Sequence, residues 1–353
     1  MSEVTTTGTR KDSHLKICLE ELVDYYAPRS GGFASYRFDH DALPEISRDD
    51  VDLATEFAGK KIKAPLIIGA MTGGTDRAGE INRRLARAAA RAGVGFALGS
   101  QRILLEKEAL KATFMVREHA PDLPLLLGNV GAVQFNYGMT GADVGRLARL
   151  VGADAFNFHL NPLQEAVQPE GDMNFRGLIP QIERAIPEVG VPVLLKEVGS
   201  GISETTARKI RHLPLYGVET AGVGGTSWSK IESFRNEGER GRNLGDLFAR
   251  WGVTTPESIV AVRAQMPQAR IVASGGIRNG IEIAKALALG ADVAALALPL
   301  LKAAEKSEDA VHEALLTIIE ELRTAFFLTG SRTIADLKQK SLKRVQDWAG
   351  LAP

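Results

Sequence analysis

The sequence predicts an α/β protein built on a single (β/α)8 TIM barrel with an N-terminal extension and a long loop after the sixth strand. Two positive observations and one exclusion predict it. Eight short apolar runs rich in Val, Ile, Leu and Gly recur along the 353 residues, too short for core helices and without strict alternation, as suits parallel strands covered on both faces. Amphipathic helical patterns separate the runs, which is the order of a parallel α/β barrel. An open doubly wound sheet usually places a G-x-G-x-x-G fingerprint after its first strand, and none occurs after Met71.

The eight expected strands are Ala64–Met71, Gly93–Gly99, Leu123–Val130, Ala155–Leu160, Pro192–Val198, Tyr216–Val223, Arg270–Ser274 and Ala291–Leu298. Between the first two, Asp76–Ala92 carries Ile81, Leu85, Ala88 and Ala92 on one stripe. Thr140–Val151 opens on Thr140 as N-cap and stops before Gly152, and Ser203–Arg211 opens on Ser203. Thr255 before Pro256 reads as an N-cap and N1 pair. Gly280–Leu289 closes on Gly290, and a last helix spans Ser307–Thr329. The apolar run Ala291–Leu301 reads as a buried strand. The division expected is a 1–63 arm packing on the barrel, a 64–329 barrel and a 330–353 tail. Residues 226–254 leave the C-terminal end of a strand, where barrel enzymes build their sites, and read as a catalytic lid or a subunit contact.

Composition narrows the partners. Net charge is +0 with 43 basic and 43 acidic residues, so nucleic acid is not expected as a partner. Cys18 is the one cysteine, which leaves no intramolecular disulfide and no cysteine metal cluster. Met1–Asp12 is polar and lacks a secretory apolar segment, and no apolar run reaches membrane-spanning length. A cytoplasmic protein without a membrane partner is expected.

Sorting polar residues by strand end is informative, because in this layout they gather on one rim. The strands end in Ala70-Met71-Thr72-Gly73-Gly74, Ser100-Gln101-Arg102, Gly128-Asn129, His159-Leu160-Asn161-Pro162-Leu163-Gln164-Glu165, Lys196-Glu197, Gly224-Gly225-Thr226 and Gly275-Gly276-Ile277-Arg278. Gly275-Gly276 with Arg278 fits the barrel phosphate site, where backbone N–H groups meet the anion closely. A tight strand-to-helix turn is the plainer reading of one such pair. Lys196 ends a buried strand and must meet an anion or an electron-rich ring, since an unpaired buried ammonium is costly. Glu197 points to the opposite face, which favours a ligand role for the lysine. Glu165 beside a phosphate site suits Mg2+ held partly by phosphate oxygens, or else a solvated loop. His159 and Asn161 share a face, and His159 reads as a ligand contact or as a structural histidine.

With these residues in view, the chain resembles the FMN-dependent type 2 isopentenyl-diphosphate isomerases over nearly its whole length. The resemblance rests on Arg10-Lys11-Asp12-Ser13-His14, Leu43-Pro44-Glu45-Ile46, Gly69 to Gly74, Ser100-Gln101-Arg102, Gly128-Asn129, His159 to Glu165, Lys196-Glu197 and Gly224 to Trp228. It implies FMN contacts at Ala70, Met71, Thr72, Ser100, Asn129, Lys196 and Thr226, with the phosphate at Gly275, Gly276 and Arg278 near Ala297 and Leu298. It implies a small-molecule diphosphate held by Arg10, Lys11, His14, Ser100, Gln101, Arg102 and Asn161. Gln164 would face the hydrocarbon end, Glu165 would ligate Mg2+, and His159, Gln164 and Glu165 would serve the reacting centre. The family often has Arg before Pro in strand eight, where this chain has Leu298-Pro299. The resemblance further implies NADPH as reductant and a tetramer or octamer.

The implied chemistry moves a double bond along an allyl system, with reduced FMN as acid-base group and no net redox change. An unactivated alkene is a weak base, so its proton donor must be well placed and shielded from water. The competing reading is an FMN-dependent 2-hydroxy acid oxidoreductase, which shares the strand-five lysine and the late Gly-Gly-Arg. It calls for a histidine after strand seven, and none lies between His212 and His312.

Overall fold

Eight parallel strands close into a barrel in the computed structural model, which describes residues 7–20, 23, 30–236 and 238–345. They are β1 Leu66–Ile68, β2 Gly95–Ala97, β3 Leu125–Gly131, β4 Ala155–Leu160, β5 Val193–Glu197, β6 Gly217–Glu219, β7 Arg270–Ser274 and β8 Val293–Leu296. Each strand pairs with its sequence neighbours, and β8 closes on β1 through Ala294 to Leu66 and Leu296 to Ile68. Every expected strand is present. Several are shorter than expected because their last residues leave the ladder to build the rim.

Side-chain alternation divides the core in two. Ile67, Ala97, Leu127, Ala155, Leu194, Val272 and Val293 fill the barrel interior. Leu66, Ile68, Phe96, Phe156, Leu195, Ile271 and Leu296 belong to the larger core shared with the helices. A short hairpin, Thr55–Phe57 with Lys60–Ile62, joins Phe57 and Ile62 to the inner cluster. The Ala58 N–H donates to the Tyr216 hydroxyl just before β6 at 2.6 Å, so this hairpin plugs the N-terminal end. The opposite end stays open for the site.

Helix boundaries reflect local chemistry. Asp76–Ala92 is capped by Thr75 and stopped by Gly93 in the left-handed region. Thr140 and Asp143 form a capping box before Gly141–Val151, and Ser203 caps Glu204–Ile210. One expectation is corrected. Thr254, not Thr255, caps Thr255–Gln265, with Glu257 completing the box. The Thr255 hydroxyl instead donates to the Ser274 carbonyl at 2.9 Å and ties this helix to the end of β7. The run Ala291–Leu301 is likewise not one strand. It breaks at Ala297, and Pro299 sits in the first turn of the helix Leu298–Lys306.

The described parts of the additions to the barrel form elements of their own. The segment after β6 holds two helices, Trp228–Arg235 and Glu239–Leu247. An N-terminal helix, Thr7–Glu20, buries Leu15 and Cys18. The described part of 330–353 carries the helix Ile334–Lys338 and a strand, Leu342–Arg344, that pairs antiparallel with Tyr36–Phe38. Residues 1–6 and 346–353 of the expected arm and tail lie outside the described residues. No helix among the described residues is long and apolar enough to cross a membrane.

Candidate active site at the C-terminal mouth of the barrel

One large cavity opens at the C-terminal ends of the strands, and nearly all of the residues singled out in the sequence line it. Ala70, Met71 and Thr72 come after β1, and Ser100 and Arg102 after β2. Asn129, His159 and Lys196 stand on β3, β4 and β5. Thr226, Gly275, Gly276, Arg278, Ala297 and Leu298 form the β6–β8 side, while Arg10, Lys11 and His14 close over the cavity from the N-terminal helix. Asn161, Gln164 and Glu165 complete it from the short helix Pro162–Val167 and its N-terminal boundary. Gln101 is the exception. Its side chain is fully buried, with Oε1 3.4 Å from the Asn129 nitrogen and Nε2 unpartnered, so it does not stand among the lining side chains.

The β6–β7 rim is built from backbone in close approach. A Cβ on Gly275 would lie 2.1 Å from the Gly222 carbonyl oxygen, and one on Gly276 would lie 2.4 Å from that of Gly224. Gly276 also has φ +76°, a conformation glycine adopts without steric penalty. Ala221, beside this turn, holds φ +37°, local strain kept by the surrounding packing. The result is a concave backbone surface with Arg278 at its edge, the shape and charge that suit a phosphate.

Lys196 is at the mouth as expected, but the argument from an unpaired ammonium is corrected. Its Nζ lies 3.0 Å from the carboxylate of Glu219 and donates to the Glu197 carbonyl at 2.8 Å, so the charge already has a partner. The parallel register of β5 and β6 sets Lys196 opposite Glu219. Glu197 turns away, as expected, and its carboxylate accepts N–H bonds from Val198, Gly199 and Gly201 in the adjoining loop.

His159 Nδ1 sits 2.7 Å from Asn129 Oδ1. Burial, then the charges of Lys196 and Arg102, hold its pKa down to about 3, so the imidazole is neutral. It donates through Nδ1 and leaves Nε2 as an acceptor. Glu165 accepts from Asn161 Nδ2 at 2.7 Å and from the Asp172 N–H at 2.7 Å. Burial pushes its carboxyl upward against those bonds. Asn161 Oδ1 has no partner, which leaves an acceptor beside that carboxylate. Among the described residues no group of three or more His, Cys, Asp or Glu side chains converges as a metal cage. A divalent cation near Glu165 would therefore draw most of its oxygens from a phosphorylated ligand and water.

Two carboxylates that carry no signal in the sequence organise the site. Glu219 is one. Glu232 is the other, with no exposed surface, on the helix Trp228–Arg235. Its Oε1 lies 2.9 Å from His14 Nε2 and accepts from Gln164 Nε2 at 3.2 Å, while Arg235 pairs with its other oxygen. Burial raises the Glu232 carboxyl, but the His14 bond and the Arg235 guanidinium outweigh it and hold it below the ordinary range. His14 also meets Trp228 edge-on at 5.2 Å. Glu232 thus ties the N-terminal helix to the segment after β6 and to Gln164, the ordered counterpart of the expected lid. A glutamate inside an amphipathic helix gives no local sign of such a role.

The basic end of the cavity carries excess positive charge. Lys11 donates to the Ser100 carbonyl at 3.0 Å and lies 5.2 Å from the Phe114 ring. Burial, then Arg10 and Arg102, pull its pKa down to about 7. Arg102 is braced by Gln134 at 2.9 Å and Asp172 at 3.3 Å.

Comparisons with known proteins agree with this geometry. The FMN-dependent dehydrogenase family model matches residues 182–344. Isopentenyl-diphosphate delta-isomerase of Nostoc sp. (strain PCC 7120) is 46% identical, with 98% of each chain covered. That of Rickettsia bellii (strain RML369-C) is 44% identical, covering 95% of this chain and 97% of the relative. Among solved structures, mandelate oxidase with (S)-2-phenylpropionate superposes with a TM-score of 0.65 at 18% identity, covering 94% of each chain. A mandelate oxidase variant carrying a monooxide FMN adduct gives 0.60 at 18% identity, covering 95% of this chain and 92% of that one. At such identity the structural likeness concerns the fold.

Proposed function

The chain belongs to the FMN-dependent isopentenyl-diphosphate delta-isomerase family, and from that premise we propose how its cavity interconverts isopentenyl and dimethylallyl diphosphate. The observation that carries this reading is the division of one cavity between a backbone cradle on β6–β8 and a cationic cluster, Arg10, Lys11 and Arg102, on the other side. The cradle suits the phosphate of FMN, and Ala70 to Thr72, Ser100, Asn129, Lys196 and Thr226 are placed to meet the rest of it. The cationic cluster suits a diphosphate. The chain is an isomerase on this reading, and the 2-hydroxy acid oxidoreductase alternative has no histidine in the loop leaving β7 to act as base, since none lies between His212 and His312.

Reduced FMN, when bound, supplies the acid-base group for the allylic proton shift. The side chains supply the rest. Arg10, Lys11, His14 and Arg102 hold the diphosphate by charge and hydrogen bonds, and Glu165 holds Mg2+ shared with it. Asn161 takes a different part from the diphosphate contact expected. Its Nδ2 is engaged with Glu165, so its free Oδ1 suits a donor such as metal-bound water. Gln164, fixed between Asn161 Nδ2 at 3.3 Å and Glu232, orients the hydrocarbon end. His159 is neutral, so it acts as a hydrogen-bond partner and not as a proton donor at neutral pH. The helices Thr7–Glu20 and Trp228–Arg235 exclude water, which a proton donor to an alkene requires. NADPH as reductant, a cytoplasmic setting, a tetrameric or octameric assembly, and an arm, barrel and tail divided at residues 63 and 329 belong to the same proposal.

The purified protein with FMN, NADPH and Mg2+ is expected to convert isopentenyl diphosphate, as read by proton NMR, and to lose turnover when the reductant is omitted under anaerobic conditions. Oxidation of a 2-hydroxy acid with no isomerisation would overturn the reading.

The cradle and the cationic end can each be tested alone. Gly276→Ala forces a Cβ against the Gly224 carbonyl in a left-handed backbone, at a cost of at least about 1 kcal/mol before any clash. FMN affinity is expected to fall tenfold or more, measured by flavin fluorescence. At the other end, the depressed pKa of Lys11 means that the free site holds a partly neutral amine near pH 7, and a bound diphosphate restores the ammonium. Binding of inorganic pyrophosphate should therefore take up a proton between about pH 7 and 10, and affinity should fall as pH rises through that window. Calorimetry in buffers of different ionisation enthalpy reads this uptake, and Lys11→Ala should abolish it. For the free protein the sign is reversed. The native chain binds fewer protons here than the unfolded one, so this group's contribution to stability rises with pH over the same window.

A further inference from the structure

Glu219 is an ionisable carboxylate, 2% exposed, in the wall of a barrel whose other interior positions are almost all apolar. Burial of such a group is costly unless each oxygen is satisfied. Three strands supply the partners. Lys196 on β5 lies 3.0 Å from Oε1, Ser274 on β7 donates to Oε1 at 2.9 Å, and Asn157 on β4 donates to Oε2 at 3.2 Å. Lys196 and Glu219 both line the cavity, whereas Asn157 lies behind them with no exposed surface. Core packing alone would be served as well by an apolar pair of similar volume. What the ion pair adds is control of one charge. It fixes where the Lys196 ammonium stands and cancels part of the field that this ammonium projects into the cavity.

We propose that Glu219 is a positioning residue for the cofactor: through Lys196 it sets the electrostatic potential that FMN meets and so holds the flavin's midpoint potential down. This rests on the FMN reading above. A cation near a flavin favours the anionic reduced ring over the neutral oxidised one, and a carboxylate 3.0 Å behind that cation offsets the preference. A chain that uses reduced flavin without net redox change gains a ring rich in electron density toward the alkene. It carries a matching cost, the need for a reductant to keep the flavin reduced.

The experiment is a midpoint potential of the FMN-loaded protein, by dye equilibration, for the wild type, Glu219→Gln, Glu219→Asp and Lys196→Met, the last with and without Glu219→Gln. Glu219→Gln is expected to stabilise the reduced form about tenfold relative to the oxidised, which is an upward shift of ~30 mV for a two-electron couple. Glu219→Asp keeps the charge but withdraws the carboxylate by one methylene. It should shift the potential in the same direction by about threefold in that ratio, and it decides the matter if Glu219→Gln does not fold. In the Lys196→Met background the added Glu219→Gln should change the ratio less than it does beside the native lysine, because only the carboxylate's own field, and no longer its hold on the ammonium, is then lost. A merely structural role would alter melting temperature and leave the potential where it was. An unchanged potential in folded, FMN-loaded Glu219→Gln or Glu219→Asp overturns the proposal, as does an equal shift with and without Lys196. Failure of the wild type to hold FMN would instead overturn the cofactor reading on which it rests.

Discussion

Glu165→Gln is expected to lower turnover by about 10²–10³-fold, the scale of losing one preorganised electrostatic contact to a reacting system. The Asn161 and Asp172 donors approach different oxygens of the native carboxylate, at 2.7 Å each, so the glutamine oxygen keeps one of them and its amide N–H faces the other, a local cost that a buried frame of this size absorbs without unfolding. What is lost is the negative charge that, on the proposed reading, would recruit Mg2+ to the diphosphate. The variant should stay folded, retain FMN and need far more Mg2+ to reach its remaining rate. Gln164→Ala should also lower turnover, but without moving the Mg2+ requirement. Steady-state rates over a Mg2+ titration separate the two. Turnover and metal dependence both like the wild type in Glu165→Gln would remove Glu165 from the metal site.

Glu232→Ala is the second large effect. Glu232 has no exposed surface and carries three partners at once, His14, Gln164 and Arg235. Removing it leaves the Arg235 guanidinium, itself 7% exposed, with only Glu170 at 2.8 Å. Breaking one side of a buried ion pair typically costs about 3–5 kcal/mol. For a domain of this size that corresponds to a fall in melting temperature on the order of 10 °C. The loss should be local in its consequences. The helices Thr7–Glu20 and Trp228–Arg235 would part, hydrogen exchange should rise in both, and KM for the diphosphate should increase more than FMN affinity falls. Glu232→Gln, which keeps an oxygen toward His14 and Gln164 but sets an amide N–H against Arg235, should recover part of the stability and less of the affinity. A Glu232→Ala protein with unaltered melting and exchange would show that the two helices are held by their apolar faces alone.

Much of the site was legible because a parallel barrel has a simple rule: the segments leaving the C-terminal ends of its strands meet at one mouth. Ala70 to Thr72, Ser100, Asn129, His159, Lys196, Thr226 and Gly276 could be placed together from strand order alone, and they line one cavity. The rule works at the level of segments. It did not separate Gln101, fully buried, from its neighbours Ser100 and Arg102 on the lining, because the turn after β2 alternates its side chains between cavity and core. The same limit misplaced the cap at Thr255, where two threonines in a row offer the same hydroxyl and only the backbone angle at Thr254 decides.

Strand count, barrel closure, the helix caps at Thr140, Ser203 and Ser307, and the glycines where backbone must pass close to backbone are all written along the chain. These are local or periodic properties, fixed by spacing and by the conformations each residue can adopt. Which charges pair was settled by three-dimensional packing alone. Glu219 meets Lys196 through register between two strands, and Glu232 meets His14 across 218 residues of chain. Ion pairs inside a barrel depend on distances of a few ångströms between segments far apart in sequence, and no pattern along one segment encodes them.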